Sequence, residues 1–111
     1  MVRKMRIAIP TVGKRKLSNK VAETFSRAPN FTIVTIEDRK IKSIKVISNP
    51  GEAPERGAGP LAARALKDND VDVLLTSEMG PGARNILESL EIEIDLVELG
   101  ETVKDLVKPY L

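Results

Sequence analysis

The chain has 111 residues, 41% of them apolar and 3% aromatic, and its 18 basic and 16 acidic side chains leave a net charge of +2. That length suits a single domain burying somewhat over about 60% of its unfolded surface, and the balanced charge excludes the single-signed field of a dedicated DNA coat or an acidic carrier. With no cysteine and no histidine, a disulfide framework, a thiolate- or imidazole-based metal site and the commonest general base are excluded, which favours binding or carrying a small anion over autonomous catalysis.

Met5–Pro10 (MRIAIP) reads as a first strand, apolar on both faces at Ile7, Ala8 and Ile9 and closed by Pro10. This apolar run is too short for a signal-peptide core or a membrane span, so the expected location is the cytoplasm. A loop over Thr11–Leu17 follows, with Gly13, Lys14, Arg15 and Lys16, and Ser18 or Asn19 is expected to cap a short helix presenting Val21, Ala22 and Phe25 and ending at Ala28-Pro29. Phe31–Glu37 and Ile41–Ser48 are β-branched runs joined by Asp38-Arg39-Lys40, the spacing of a hairpin, and Lys42 and Lys45 mark the second run as an edge strand. Asn49–Pro60 (NPGEAPERGAGP) is irregular and feeds a helix over Leu61–Lys67.

Val71–Thr76 (VDVLLT) is expected to be a buried strand, followed by Ser77–Gly80 and a helix from about Pro81 with an apolar stripe of Ile86, Leu87 and Leu90. In Ile92–Leu99, Ile92, Ile94 and Leu96 should face inward along the second edge strand. Thr102 then begins a last helix, with Asp105 completing a capping pattern and Val103, Leu106 and Val107 inward. Abundant Lys, Glu, Arg and Ile without Gln, Cys or Trp points to a thermophilic source.

The hairpin makes the second strand antiparallel, and the helical crossovers keep the fourth and fifth strands parallel to the first, giving an α/β domain of strand order 3-2-1-4-5. Loops Thr11–Leu17, Asn49–Pro60 and Ser77–Pro81 then emerge at one carboxyl edge, where ligands of open α/β sheets bind. That edge gathers Gly13, Gly57, Gly59, Gly80 and Gly82 with Lys14, Arg15, Lys16, Arg27, Arg56 and Arg84. Helix amino termini near Pro60 and Pro81 face it, so a cationic, anion-binding pocket is expected there.

Four segments at these loops carry a family resemblance: Met5–Pro10; Phe25-Ser26-Arg27-Ala28-Pro29-Asn30-Phe31; Asn49-Pro50 followed by Gly57-Ala58-Gly59; and Thr76 through Gly80-Pro81-Gly82-Ala83. In order and spacing, over nearly the whole chain, they resemble the dinitrogenase iron-molybdenum cofactor biosynthesis family, related to the nitrogenase accessory carriers. The resemblance implies a ribonuclease-H-like three-layer α/β fold and a non-catalytic accessory protein that transiently binds or carries an iron–molybdenum or iron–sulfur cluster. Partners would be the anionic metallocluster and the proteins that donate or accept it. The cofactor-binding positions expected on this reading are Gly13, Lys14, Arg27, Arg56, Gly57, Gly59, Glu78, Met79, Gly80 and Gly82. Many family members have histidine where this chain has Glu52–Arg56, and glycine where Ser26 stands. A cluster would therefore be held as an anion by cations and backbone N–H groups, with the Met79 or Met5 thioether or the Glu78 carboxylate touching iron.

Rival functions weigh differently. A nuclease of this fold would need carboxylates on the first strand, and none is there. A phosphate- or nucleotide-binding role suits the same glycines and helix ends, although no phosphate-loop motif occurs. Nucleic-acid binding lacks a supply of exposed aromatics, and a protein-interaction module would have to use the lysine-guarded edge Ile41–Ser48.

Overall fold

The alternation of side chains along the first strand sets the architecture. The computed structural model describes residues 4–13, 15–52 and 57–111. In β1 (Lys4–Thr11), Ala8 points to one face of the sheet while Ile7 and Ile9 point to the other, and both faces are buried. Strand β2 (Asn30–Glu37) runs antiparallel beside it, from Lys4 opposite Glu37 to Thr11 opposite Asn30. The turn to β3 (Lys40–Ser48) has two residues, Asp38 and Arg39, both with positive φ (53° and 65°), the conformation of a tight hairpin matching the twist of its strands. β4 (Val73–Thr76) and β5 (Glu93–Leu96) continue in parallel on the other side of β1. Among the described residues the sheet has five strands in the order β3-β2-β1-β4-β5, as the connections required.

Two layers cover this sheet. Helices α1 (Ala58–Asp68) and α2 (Pro81–Ser89) place Ala62, Ala63, Leu66 and Leu87 on Ala8, Phe31, Ile33 and Leu74. The other face, with Ile7, Ile9, Val34, Val73 and Leu75, meets Val103, Leu106 and Val107 of the short α3 (Val103–Val107). The Thr102 hydroxyl accepts from the Asp105 N–H at 3.3 Å and starts α3, as its capping pattern predicts.

Three local expectations give way to tertiary structure. The helix expected after Ser18 does not form: Lys16–Ser18 makes one 3₁₀ turn and the chain then runs irregularly to Pro29. Its backbone is engaged elsewhere, since Val21 N–H donates to the Glu101 carbonyl (3.1 Å) and Ala22 N–H to the Pro10 carbonyl (2.7 Å). Val21, Ala22, Phe25 and Ala28 are nonetheless buried, so the apolar spacing reported burial and not helix. Pro10 lies inside β1 instead of closing it. Its carbonyl faces Ala22, so the side of Pro10 that lacks an N–H is turned away from β2 and no ladder bond is lost. Finally, Leu96 is 60% exposed, because α2 packs over Ile92 and Ile94 but not over the last residue of the edge strand.

Candidate functional site

The irregular segment that replaces the expected helix builds a groove at the carboxyl edge, on the α1 and α2 face of the sheet. Asn49, buried at the end of β3, donates from Nδ2 to the carbonyls of Ser26 (3.0 Å) and Ala28 (2.9 Å), and more weakly to that of Phe25 (3.5 Å). Its Oδ1 accepts from the Gly51 N–H at 2.8 Å, an Asx turn that sends the chain back over the segment it holds. Gly51 has no room for a side chain: a Cβ there would lie 2.5 Å from the Ala58 carbonyl oxygen and 2.7 Å from that of Ser26. On the other side, the Ser77 hydroxyl lies 2.9 Å from the Ala22 carbonyl and 3.2 Å from that of Glu23, tying the loop after β4 to the same segment.

These ties frame a groove of about 330 Å³. Thr24, Phe25, Ser26 and Arg27 form one wall, Gly59 of α1 another, and Glu78, Met79, Gly80 and Ala83 the third. Helices α1 and α2 lie side by side here, close enough that a Cβ on Gly59 would sit 3.7 Å from the Cβ of Ala83. Both start at this edge, from Gly57 and Gly80, and among the described residues no side chain caps either one. Their first-turn N–H groups, which no helix can satisfy internally, and the positive ends of two dipoles thus border one cavity. Gly57 holds φ at +76°, a left-handed conformation that favours glycine.

Of the ten expected site residues, the groove brings together Arg27, Gly59, Glu78, Met79 and Gly80. Gly57 and Gly82 lie beside it, at the cap of α1 and in the first turn of α2. Gly13 lies apart, in a smaller pocket of about 290 Å³ lined by Val12, Arg15, Ser18, Asn19 and Lys20. There, Asn19 and Asn30 clamp the Gly13 backbone: Gly13 N–H donates to Asn19 Oδ1 (3.0 Å), and both amides donate to the Gly13 carbonyl. Lys14 and Arg56 fall outside the described residues. Met5 pairs with Ile36 near the far end of β1 and packs on the α3 face, away from the groove.

The charge is more mixed than the sequence suggested. Among the described lining residues Arg27 is the cation, its Nη1 donating to the Glu52 carbonyl at 3.3 Å, and Glu78 is the anion. Arg84 faces Glu88 on its own helix at 3.8 Å, and Arg15 belongs to the Gly13 pocket. No group of three or more acidic side chains is placed to hold a metal ion among the described residues, and the sequence has no Cys or His. Among the described residues the groove can therefore offer an anion the Arg27 guanidinium and two helix amino termini, and a soft metal the half-buried Met79 thioether. Asn49 and Gly51, which shape the groove, were not among the expected site residues; the Asn-Pro-Gly run was the signal for them.

No helix among the described residues is long and apolar enough to cross a membrane. An uncharacterised protein of Methanocaldococcus jannaschii is 28% identical over 93 residues, which cover 84% of this chain and 75% of that one. The apo form of the orange protein from Desulfovibrio gigas superposes with a TM-score of 0.85 at 28% identity, over 96% of this chain and 86% of that one. A NifB-like protein from Thermotoga superposes with a TM-score of 0.76 at 31% identity, over the same shares. The sequence model for dinitrogenase iron-molybdenum cofactor matches residues 4–111. The chain therefore belongs to the dinitrogenase iron-molybdenum cofactor family.

Proposed function

We propose that this protein is a non-catalytic cytoplasmic accessory that binds and carries a preassembled anionic metal–sulfur cluster, of the iron–molybdenum or iron–sulfur type, between donor and acceptor proteins. The observation that carries this reading is the convergence on one groove of Arg27 and two helix amino termini whose N-cap residues, Gly57 and Gly80, have no side chain, in a chain of this family. The cluster is cargo, held by its charge. Arg27 and the first-turn N–H groups of α1 and α2 bind its anionic face, Met79 offers a weak, soft contact to metal, and Glu78 opposes over-tight retention. A site without thiolates or imidazoles releases what it binds, as a carrier must.

Anaerobic titration with isolated iron–molybdenum cofactor, and separately with a synthetic thiolate-ligated [4Fe–4S] cluster, tests the reading by visible absorption. Saturable binding is expected, weakened by about tenfold or more in the exposed-site variant Arg27→Glu, with circular dichroism establishing that the variant is folded. Absence of saturable binding at moderate salt by protein shown to be folded overturns it. Tight binding of inorganic phosphate in the same groove would instead promote the phosphate-ligand reading, which the same helix ends also suit.

A further inference from the structure

A second groove, of about 450 Å³, opens between β5 and the C-terminal segment. Its floor, Leu75, Leu106, Val97 and Tyr110, belongs to the core on the α3 side of the sheet, opposite α1 and α2. Three properties meet there. The first is charge: Asp95, Glu98, Glu101 and Asp105 line this groove in a chain whose net charge is +2, and Lys108 meets Asp105 at 3.4 Å on its border. The Tyr110 hydroxyl donates to Asp95 Oδ2 at 3.1 Å. Its pKa is pushed up to about 12, first by partial burial and then by the hydrogen bond to Asp95 and the charges of Asp95 and Glu93.

The second is apolar exposure. The large apolar side chains exposed among the described residues are Val12, Leu61, Leu96, Leu99 and Leu111, and the last three lie on β5, on the loop after it and next to Tyr110. The third is a sheet edge, with β5 outermost among the described residues. Glu93 and Val97 direct their N–H groups to the Asp72 and Thr76 carbonyls of the β4 side (3.0 and 2.9 Å), so strand alternation turns the backbone groups of Ile94 and Leu96 outward.

We propose that the β5 edge and its acidic groove dock an extended basic segment of a partner protein, added as a strand beside β5. Lysine or arginine at alternate positions would lie along Glu93 and Asp95 and reach Glu98 and Glu101, while the intervening apolar side chains would cover Leu96 and Leu99. A second copy of this chain fits less well. Its own β5 would set Glu93 and Asp95 against identical carboxylates, and its lysine-bearing β3 would extend the sheet copy after copy without closing. The proposal goes beyond cluster carriage and does not depend on it.

The test uses the full chain and a fluorescein-labelled peptide of about ten residues alternating Lys and Val, with a Lys/Ser peptide of equal charge as control, read by anisotropy and by amide chemical shifts. Saturable binding is expected, with shifts confined to residues 93–101 and 105–110. Affinity should fall by about tenfold in the double variant E98K/E101K, in Leu96→Glu and for the Lys/Ser peptide, while anion binding at the Arg27 groove is unchanged. Both variants alter exposed side chains, and circular dichroism establishes that each is folded. Absence of saturable binding, equal binding of the Lys/Ser peptide, or shifts elsewhere would overturn the proposal. Concentration-dependent self-association in sedimentation, abolished by Leu96→Glu, would overturn it in favour of a second copy.

Discussion

The two grooves open near the same edge of one sheet and differ in how that edge is finished. On the α1 and α2 face, two helices begin at the edge from glycine N-caps, so backbone N–H groups and helix dipoles set the potential and Arg27 adds to it. On the α3 face the helix that begins there is capped by Thr102, and side chains set the potential, almost all of them carboxylates. A potential built from backbone needs only glycines and helix starts, and so survives the absence of cysteine and histidine. One built from side chains can be reversed by two substitutions.

If that distinction is right, the grooves should fail separately. The largest effect is expected from Asn49→Ala, which takes the Asn49 donor from the part-buried carbonyl of Ser26 and the buried carbonyl of Ala28 and frees the Gly51 turn. It should cost about 3 kcal/mol in a urea unfolding curve and abolish anion binding, with basic-peptide binding per folded molecule retained. Thr102→Ala should cost about 1 kcal/mol, by removal of the α3 cap, and loosen the acidic groove while sparing anion affinity. Loss of both activities in either variant would break the comparison.

The smallest effect, about 0.5 kcal/mol at neutral pH, is expected from Tyr110→Phe, which removes the hydrogen bond to Asp95. Its value lies in its pH dependence. The folded state holds the phenolic proton up to about 12, against 10.0 for an unperturbed tyrosine, so this contribution is fully present below the lower value and is lost as pH rises through the upper one. The urea midpoint of the parent chain should therefore fall more steeply across that window than the midpoint of Tyr110→Phe. Parallel curves would show that neither burial nor the carboxylates around it hold the phenolic proton.

Sequence by itself determined the strands, their order, the two long helices and the capped α3. These follow from local alternation, from connection lengths and from the handedness of crossovers, and all of these are written along the chain. It also placed Gly59, Glu78, Met79 and Gly80 at one edge, since the topology leaves these loops no other place to emerge. Only the tertiary structure decided the path from Lys16 to Pro29. There, Val21 and Ala22 give their N–H groups to Glu101 and Pro10, and Asn49 gathers the carbonyls that follow, so partners distant in sequence outcompete a helix that local spacing favoured. Different stretches of that path line the two pockets, Ser18, Asn19 and Lys20 with Gly13 and Thr24–Arg27 at the groove, so Gly13 stands apart from it.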